Sequence, residues 1–247
     1  MGVAVIGLGG ILYFQLRRPE RTAAIRGQEI AWRLGCFACH GPEGTGGIAN
    51  PGSLENIVPA WDIGADVIYH ETEDEIREWI LYGVSQRFLA VSEETAGGEE
   101  EPEPLVPMPA YEGLLSSQEL DDLVAYFQAV SWYEPEMPEN AYEGKKIAAR
   151  TGCFGCHGPG GHGGVPNPGS FKGFIPPWDG RDFGKLVRNE EELREWILDG
   201  TISRLEANPL ARYFLKNQKT PMPAYREHLS KEDVDKIVAY IQWLRRG

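Results

Sequence analysis

Apolar positions recur at helical spacing along most of the chain. Ile30 and Leu34, and Ile147 in the second half, predict helices that run into Cys36 and Cys153. Ile76, Trp79 and Ile80 follow i, i+3, i+4, as do Leu193, Trp196 and Ile197, and Leu120, Leu123, Val124 and Phe127 trace another helix face. Ser117 ahead of Gln118-Glu119-Leu120 and Ser230 ahead of Lys231-Glu232-Asp233 predict N-caps opening the last helix of each half. No stretch alternates with period two for long enough to require a sheet, so the pattern predicts an all-α protein.

One apolar run stands apart. Val3 to Leu16 ends abruptly at Arg17-Arg18-Pro19-Glu20-Arg21. It predicts a short apolar N-terminal helix, below the roughly 20 residues that a membrane span takes. Three readings fit: a secretory signal core, a membrane anchor with snorkelling arginines, or a helix buried against a partner. No basic leader precedes the run and no A-x-A-like site follows before Gly27, so residues 1–22 are read as an apolar anchor. With the rest of the chain exported, the arginines would lie on the outer side, against the positive-inside tendency.

The remainder is duplicated. Gly27 to Ser53 (GQEIAWRLGCFACHGPEGTGGIANPGS) returns as Gly144 to Ser170 (GKKIAARTGCFGCHGPGGHGGVPNPGS), an offset of 117 residues that also relates Pro59–Asp62 to Pro176–Asp179 and Gly83 to Gly200. Beyond the glycine the offset becomes 114: PMPAY at Pro107 to Tyr111 matches Pro221 to Tyr225. Two such units make tandem domains, 23–132 and 141–247, rather than a solenoid. The join, SWYEPEMPEN at Ser131 to Asn140, holds the linker 133–140, where prolines and acids disfavour helix and strand.

Composition removes whole classes. The 42% hydrophobic content suffices for two cores, and a net charge of -13 has the wrong sign for a nucleic-acid partner. The charge is unevenly spread: residues 1–139 carry net -17 and residues 140–247 net +4, with no lysine before Lys145. Such asymmetry suits steering of two different partners.

All four cysteines fall in Cys36-Phe37-Ala38-Cys39-His40 and Cys153-Phe154-Gly155-Cys156-His157. This spacing attaches c-type haem: two thiols form thioethers with the haem vinyl groups and the adjacent imidazole reaches the iron. A thioredoxin-like pair would need a βαβ context, and zinc would leave the adjacent histidines unexplained. An electron carrier also takes a second axial ligand. Met108 and Met222 hold matching places in Pro-Met-Pro-Ala-Tyr, giving the metal-ligand pairs His40/Met108 and His157/Met222. Met137 has no counterpart and is read as an ordinary linker residue; His70, His162 and His228 are unrepeated and take surface or polar-network roles. Pro51 and Pro168 are candidates to accept the ring N–H of the ligand histidines. Trp61/Trp178 and Trp79/Trp196 are candidates for a haem propionate, a backbone acceptor or core packing.

On these residues, together with Gly27 and Gly144 and a last helix reading Val-Ala-Tyr at Val124–Tyr126 and Val238–Tyr240, each unit resembles a class I cytochrome c domain. The resemblance implies a small helical fold around one covalent haem, with first and last helices crossing at the glycine and the aromatic, and haem attachment outside the cytoplasm in an exported chain. The whole chain is similar to membrane-anchored diheme cytochromes c, including diheme subunits of C-family haem–copper oxidases and of bc-type quinol-oxidising complexes. The acidic stretch between Gly83 and Met108 (EETAGGEEEPEP) departs from the tight loop of many relatives.

The expected function is single-electron transfer by two covalently bound haem c groups. It would serve a respiratory or photosynthetic membrane chain, with the haem domains on the periplasmic side of the cell membrane and no substrate chemistry of its own. The alternative is a diheme peroxidase-like oxidoreductase, which needs an open iron position and nearby acid–base residues.

Overall fold

The computed structural model describes residues 17–18, 20–62, 69–95, 103–131 and 137–246. The run Val3–Leu16, and residues 96–102 of the acidic stretch, lie outside them. The chain divides into two compact units, Ala23–Pro135 and one beginning at Glu136, with the described residues up to Thr22 grouped with the latter. Among the described residues there are no strands, only the isolated bridges Ala49–Ile57 and Pro166–Phe174, and no helix is long and apolar enough to cross a membrane.

The first unit runs α1 (Ala23–Leu34), α2 (Phe37–His40), a 3-10 turn at Pro42–Gly44, α3 (Glu73–Tyr82), α4 (Gln86–Thr95) and α5 (Ser117–Val130). The second repeats this as α6 (Glu139–Arg150), α7 (Phe154–His157), a 3-10 turn at Pro159–Gly161, α8 (Arg181–Leu186), α9 (Glu190–Asp199), α10 (Ser203–Ala207), α11 (Pro209–Asn217) and α12 (Lys231–Leu244). Pro138 caps α6, so Glu139 and Asn140 are helical and not linker. The ring's fixed φ and missing N–H are harmless there because an N-terminal N–H would be unpaired in any case.

Each unit is built on the crossing of its first and last helices. A Cβ on Gly27 would lie 1.8 Å from Asp122 O and 2.8 Å from Tyr126 Cβ; on Gly144 it would lie 2.0 Å from Lys236 O and 3.0 Å from Tyr240 Cβ. Only a residue without a side chain allows so close a crossing. Around it Ile30, Ala31, Phe37, Leu123, Tyr126 and Val130 form the first core, and Ile147, Ala148, Ile237, Tyr240 and Ile241 anchor the second. Burying each large side chain contributes about 1.5–3 kcal/mol. Tyr126 and Tyr240 extend across the crossing to donate hydrogen bonds to Glu43 O (3.1 Å) and Gly160 O (2.7 Å), tying the last helix to the loop after the histidine.

Helix ends follow local chemistry. Thr72 accepts from Glu75 N and Asn189 from Glu192 N, opening α3 and α9, and Gly83 and Gly200 close them in left-handed geometry. Ser230 caps α12 as expected, but α5 is capped by Ser116 and not Ser117. The side chain of Glu119 reaches back only to a residue three positions earlier, and that spacing selects Ser116.

The described part of the expected anchor belongs to the second unit. Arg17 donates to Ser170 O, Thr22 donates to His162 O, and Glu20 accepts from Arg181 Nε and Asp182 N at the start of α8.

Candidate haem sites

In each repeat the first helix ends in a turn that starts the next at once. Cys36 N donates to Ala31 O, and His40 N to Cys36 O at 3.0 Å; Cys153 N donates to Ala148 O, and His157 N to Cys153 O at 2.9 Å. The two thiols are therefore i and i+3, and the imidazole i+4, on one face of a single helical turn. None of the four thiols is in a disulfide. Burial raises the pKa of Cys36 to about 11 and raises that of Cys153.

The histidines are prepared as neutral nitrogen ligands. His40 Nδ1 lies 2.8 Å from Pro59 O, and because a carbonyl only accepts, Nδ1 carries the proton and Nε2 keeps its lone pair. Burial lowers the pKa of His40, with the Pro59 carbonyl opposing, and pushes that of His157 down to about 4, with the Pro176 carbonyl opposing. Pro176 lies on the same side of His157 but outside hydrogen-bond geometry, leaving His157 Nδ1 buried without a hydrogen bond. The acceptor for His40 is thus Pro59 and not the expected Pro51, and the carbonyl that bears on His157 is that of Pro176 and not the expected Pro168. The carbonyls of Pro51 and Pro168 instead accept from Leu105 N and Lys219 N, because the loop returns to the histidine only at the Pro-x-Trp segment.

That segment also places the indoles. Trp61 lies 5.0 Å from the His40 ring and Trp178 4.9 Å from the His157 ring, centroid to centroid. The role expected from packing holds for this pair. Trp79 finds a backbone acceptor, Tyr69 O at 2.9 Å.

Met108 and Met222 lie in matching extended arms, half-buried, and Met222 packs against the second core. After each methionine the arm is fastened to the end of a helix: Tyr111 N donates to Ile80 O and Glu112 N to Leu81 O, Tyr225 N to Ile197 O and Arg226 N to Leu198 O. Tyr111 Oη and Tyr225 Oη donate to Leu34 O and Thr151 O, beside the cysteine turns. The arm and the cysteine turn of one repeat thus approach each other.

The remaining candidates separate. Met137 is not a bare linker residue but packs against the second core. His228 is exposed, His70 is buried edge-on to Phe127, and His162 pairs with Asp179 Oδ2 at 3.0 Å. No group of three or more His, Cys, Asp or Glu side chains among the described residues converges as a separate metal site. Two paired thiols, a neutral imidazole with its metal-facing nitrogen free, and a thioether arm fit a covalently held haem in each repeat. Buried Asp62 Oδ1 and Asp179 Oδ1 also lack hydrogen-bond partners at matching places.

Sequence reasoning missed Asn50 and Asn167, buried beside the methionine arms. Their signal was repetition at the same offset within Asn-Pro-Gly-Ser.

Comparison with known proteins agrees with the duplication. Cytochrome c oxidase subunit 2 of Alkalihalophilus pseudofirmus is 29% identical over 134 residues, 53% of this chain, and the match spans about a third (34%) of that protein's length. A chain of the reducing HAO-like protein complex of Kuenenia stuttgartiensis aligns over 89% of this chain and 95% of its own, at 19% identity and a TM-score of 0.29. The cytochrome c family model matches residues 24–131 and again 141–245. With one match around each Cys-x-x-Cys-His, the chain belongs to the cytochrome c family as two tandem domains, each implying one covalently bound haem c.

Proposed function

We propose that the protein carries single electrons between its two haems and the partners of a respiratory or photosynthetic membrane chain, as a subunit of a membrane complex or a shuttle to one. In this reading Cys36, Cys39, Cys153 and Cys156 are the thioether donors, and His40/Met108 and His157/Met222 are the axial pairs. The observation that carries it is the repetition of one closed arrangement: a neutral imidazole on the cysteine turn and, in each unit, a methionine arm fastened at its far end to a helix. When bound, a haem would supply reversible one-electron chemistry, and the two residues of each pair would fill the ligand places that a substrate would otherwise need.

Similarity to an oxidase subunit 2 supports a redox partner complex such as an oxidase. In this reading the haem domains lie outside the cytoplasm, with residues 1–22 as the anchor. The opposite charges of the two repeats support distinct partners for the two haems. On the second repeat, α11 presents Arg212, Tyr213 and Lys216 exposed.

The test is purification in mild detergent from native membranes, with redox titration of the product. Stoichiometric recovery with an oxidase or quinol-oxidising complex identifies a fixed subunit; recovery alone identifies a shuttle. Peroxide turnover with a high-spin haem after half-reduction would overturn the reading in favour of a peroxidase.

A further inference from the structure

The turns Asn50–Ser53 and Asn167–Ser170 bear no titratable group, yet each is pressed against the arm that carries a methionine. Asn50, only 4% exposed, donates from Nδ2 to Val106 O at 3.0 Å and accepts at Oδ1 from Val106 N at 2.8 Å. Asn167, 3% exposed, does the same to Thr220, at 2.9 Å in both directions. Val106 and Thr220 each stand two residues before the methionine. A primary amide has one donor side and one acceptor side, and here both are used on the backbone of a single residue, as a neighbouring strand would use them.

The rest of each turn serves the same contact. The proline carbonyl accepts from the preceding arm residue, Leu105 N to Pro51 O and Lys219 N to Pro168 O, both at 3.0 Å. The glycine has φ +86° or +87°, and a Cβ there would lie 2.3 Å from Glu103 O or 2.0 Å from Asn217 O. The serine donates to the asparagine's own carbonyl at 2.8 Å in both repeats. The asparagine N–H is bound in turn, to Asn56 O or Gly173 O.

The arms themselves differ. Residues 103–108 read EPLVPM where 217–222 read NQKTPM, with only the final Pro-Met in common, and the offset has moved from 117 to 114. The contact that survives both changes is to backbone, and in the second repeat Asn167 Nδ2 also donates to Gln218 Oε1 at 3.3 Å. Together with the helix-end bonds at Tyr111 and Tyr225, it suspends each methionine between two fixed points.

We propose that Asn50 and Asn167 are positioning residues that hold the thioethers of Met108 and Met222 toward the haem, and so resist their displacement by outside ligands. This rests on the reading of those methionines as axial ligands. The test uses the full-length holoprotein with Asn50→Ala and Asn167→Ala made singly, the unaltered repeat serving as internal control. Covalent haem, counted by intact mass, stays at two per chain. The weak red sulfur-to-iron charge-transfer band falls by half, and imidazole binds the ferric haem of the altered repeat roughly 10- to 30-fold more tightly, the factor for loss of two hydrogen bonds.

Asn→Asp at either site keeps the acceptor and loses the donor, so it gives an intermediate shift; it decides by the same readouts where the alanine variant does not fold. Lowered thermal stability with unchanged band and imidazole affinity would reduce the asparagines to ordinary turn residues and overturn the proposal. A wild-type spectrum without the band would overturn the ligand reading first and the proposal with it. The two failures are therefore distinguishable.

Discussion

Arg26 grips Asp122 bidentately across the crossing of α1 and α5, Nε to Oδ2 at 2.7 Å and Nη2 to Oδ1 at 2.6 Å. At the matching places of the second repeat stand Glu143 and Lys236, so the charges are exchanged while the crossing is kept. Lys236 is among the cations, after Lys146, that hold the Glu143 carboxyl below its ordinary range. Asp122 is buried, and removing Arg26 would leave its carboxylate without a countercharge, held by the Gln118 amide. Arg26→Met is expected to destabilise the first unit by about 2 kcal/mol, below the value for a fully buried pair because Arg26 is partly exposed. The double change Arg26→Glu with Asp122→Lys should recover at least half of that loss in a urea titration. Additive losses would show that the two positions do not act as a pair.

The close helix crossing sets a harder limit. Gly144→Ala places a Cβ 2.0 Å from Lys236 O, a backbone atom with no rotamer to yield. The cost should exceed about 3 kcal/mol, the upper end for overpacked cores. The second unit then fails to close around its haem while the first is unaffected. Haem content, measured as the alkaline pyridine adduct, should fall from two per chain toward one. An unchanged content with an unchanged melting profile would refute the argument.

Acid should act through one repeated ion pair in particular. Arg204 binds Glu192 through Nε and Nη2, and this bond is the largest cause of a Glu192 pKa near 2, against an ordinary 4.5. Glu75 and Arg87 repeat the pair in the first unit, where the Glu75 pKa is also lowered. A carboxyl with a lowered folded pKa contributes stability that is complete above its unfolded value and is lost as pH falls through the folded one. The second unit should therefore weaken on acidification from pH 4.5 toward 2. Glu192→Gln should lose less over that interval and start from a lower stability above it. Parallel curves for the two proteins would remove Glu192 from the account.

The helices were legible because burial imposes periodicity: Ile76, Leu193 and Ile197, picked out by spacing, are all buried. The carbonyl that orients His40 was not legible. Pro51 and Pro59 both follow the histidine, a carbonyl has no side-chain signature, and only the path of the loop decides between them. Asn50 and Asn167 read as turn residues, since their second use depends on an arm more than 50 residues away in sequence. The sequence of α11, PLARYFLKN, is not repeated in the first unit, so duplication could not announce it. The placement of Ser116 over Ser117 turned on a single residue of register, where helix boundaries are least fixed by pattern.

Charge should show in the kinetics of the two haems separately. The first 139 residues carry net -17 and the remainder net +4. A small anionic oxidant such as ferricyanide is repelled by the first unit and attracted by the second, so oxidation of the reduced protein should be biphasic, with the fast phase at the second haem. Raising salt from about 10 mM to about 300 mM shortens the Debye length from roughly 30 Å to below 10 Å. That removes both effects: the fast phase slows, the slow phase quickens, and rates that differ by about tenfold or more at low salt converge. A cationic oxidant should reverse the order of the haems. Neutralising Arg212 and Lys216 on α11 should slow only the phase assigned to the second haem with the anion, since both side chains are exposed on that repeat alone. Stopped-flow traces whose two phases respond to salt with the same sign would show that the net charge of the whole chain, and not the separate field of each repeat, governs encounter.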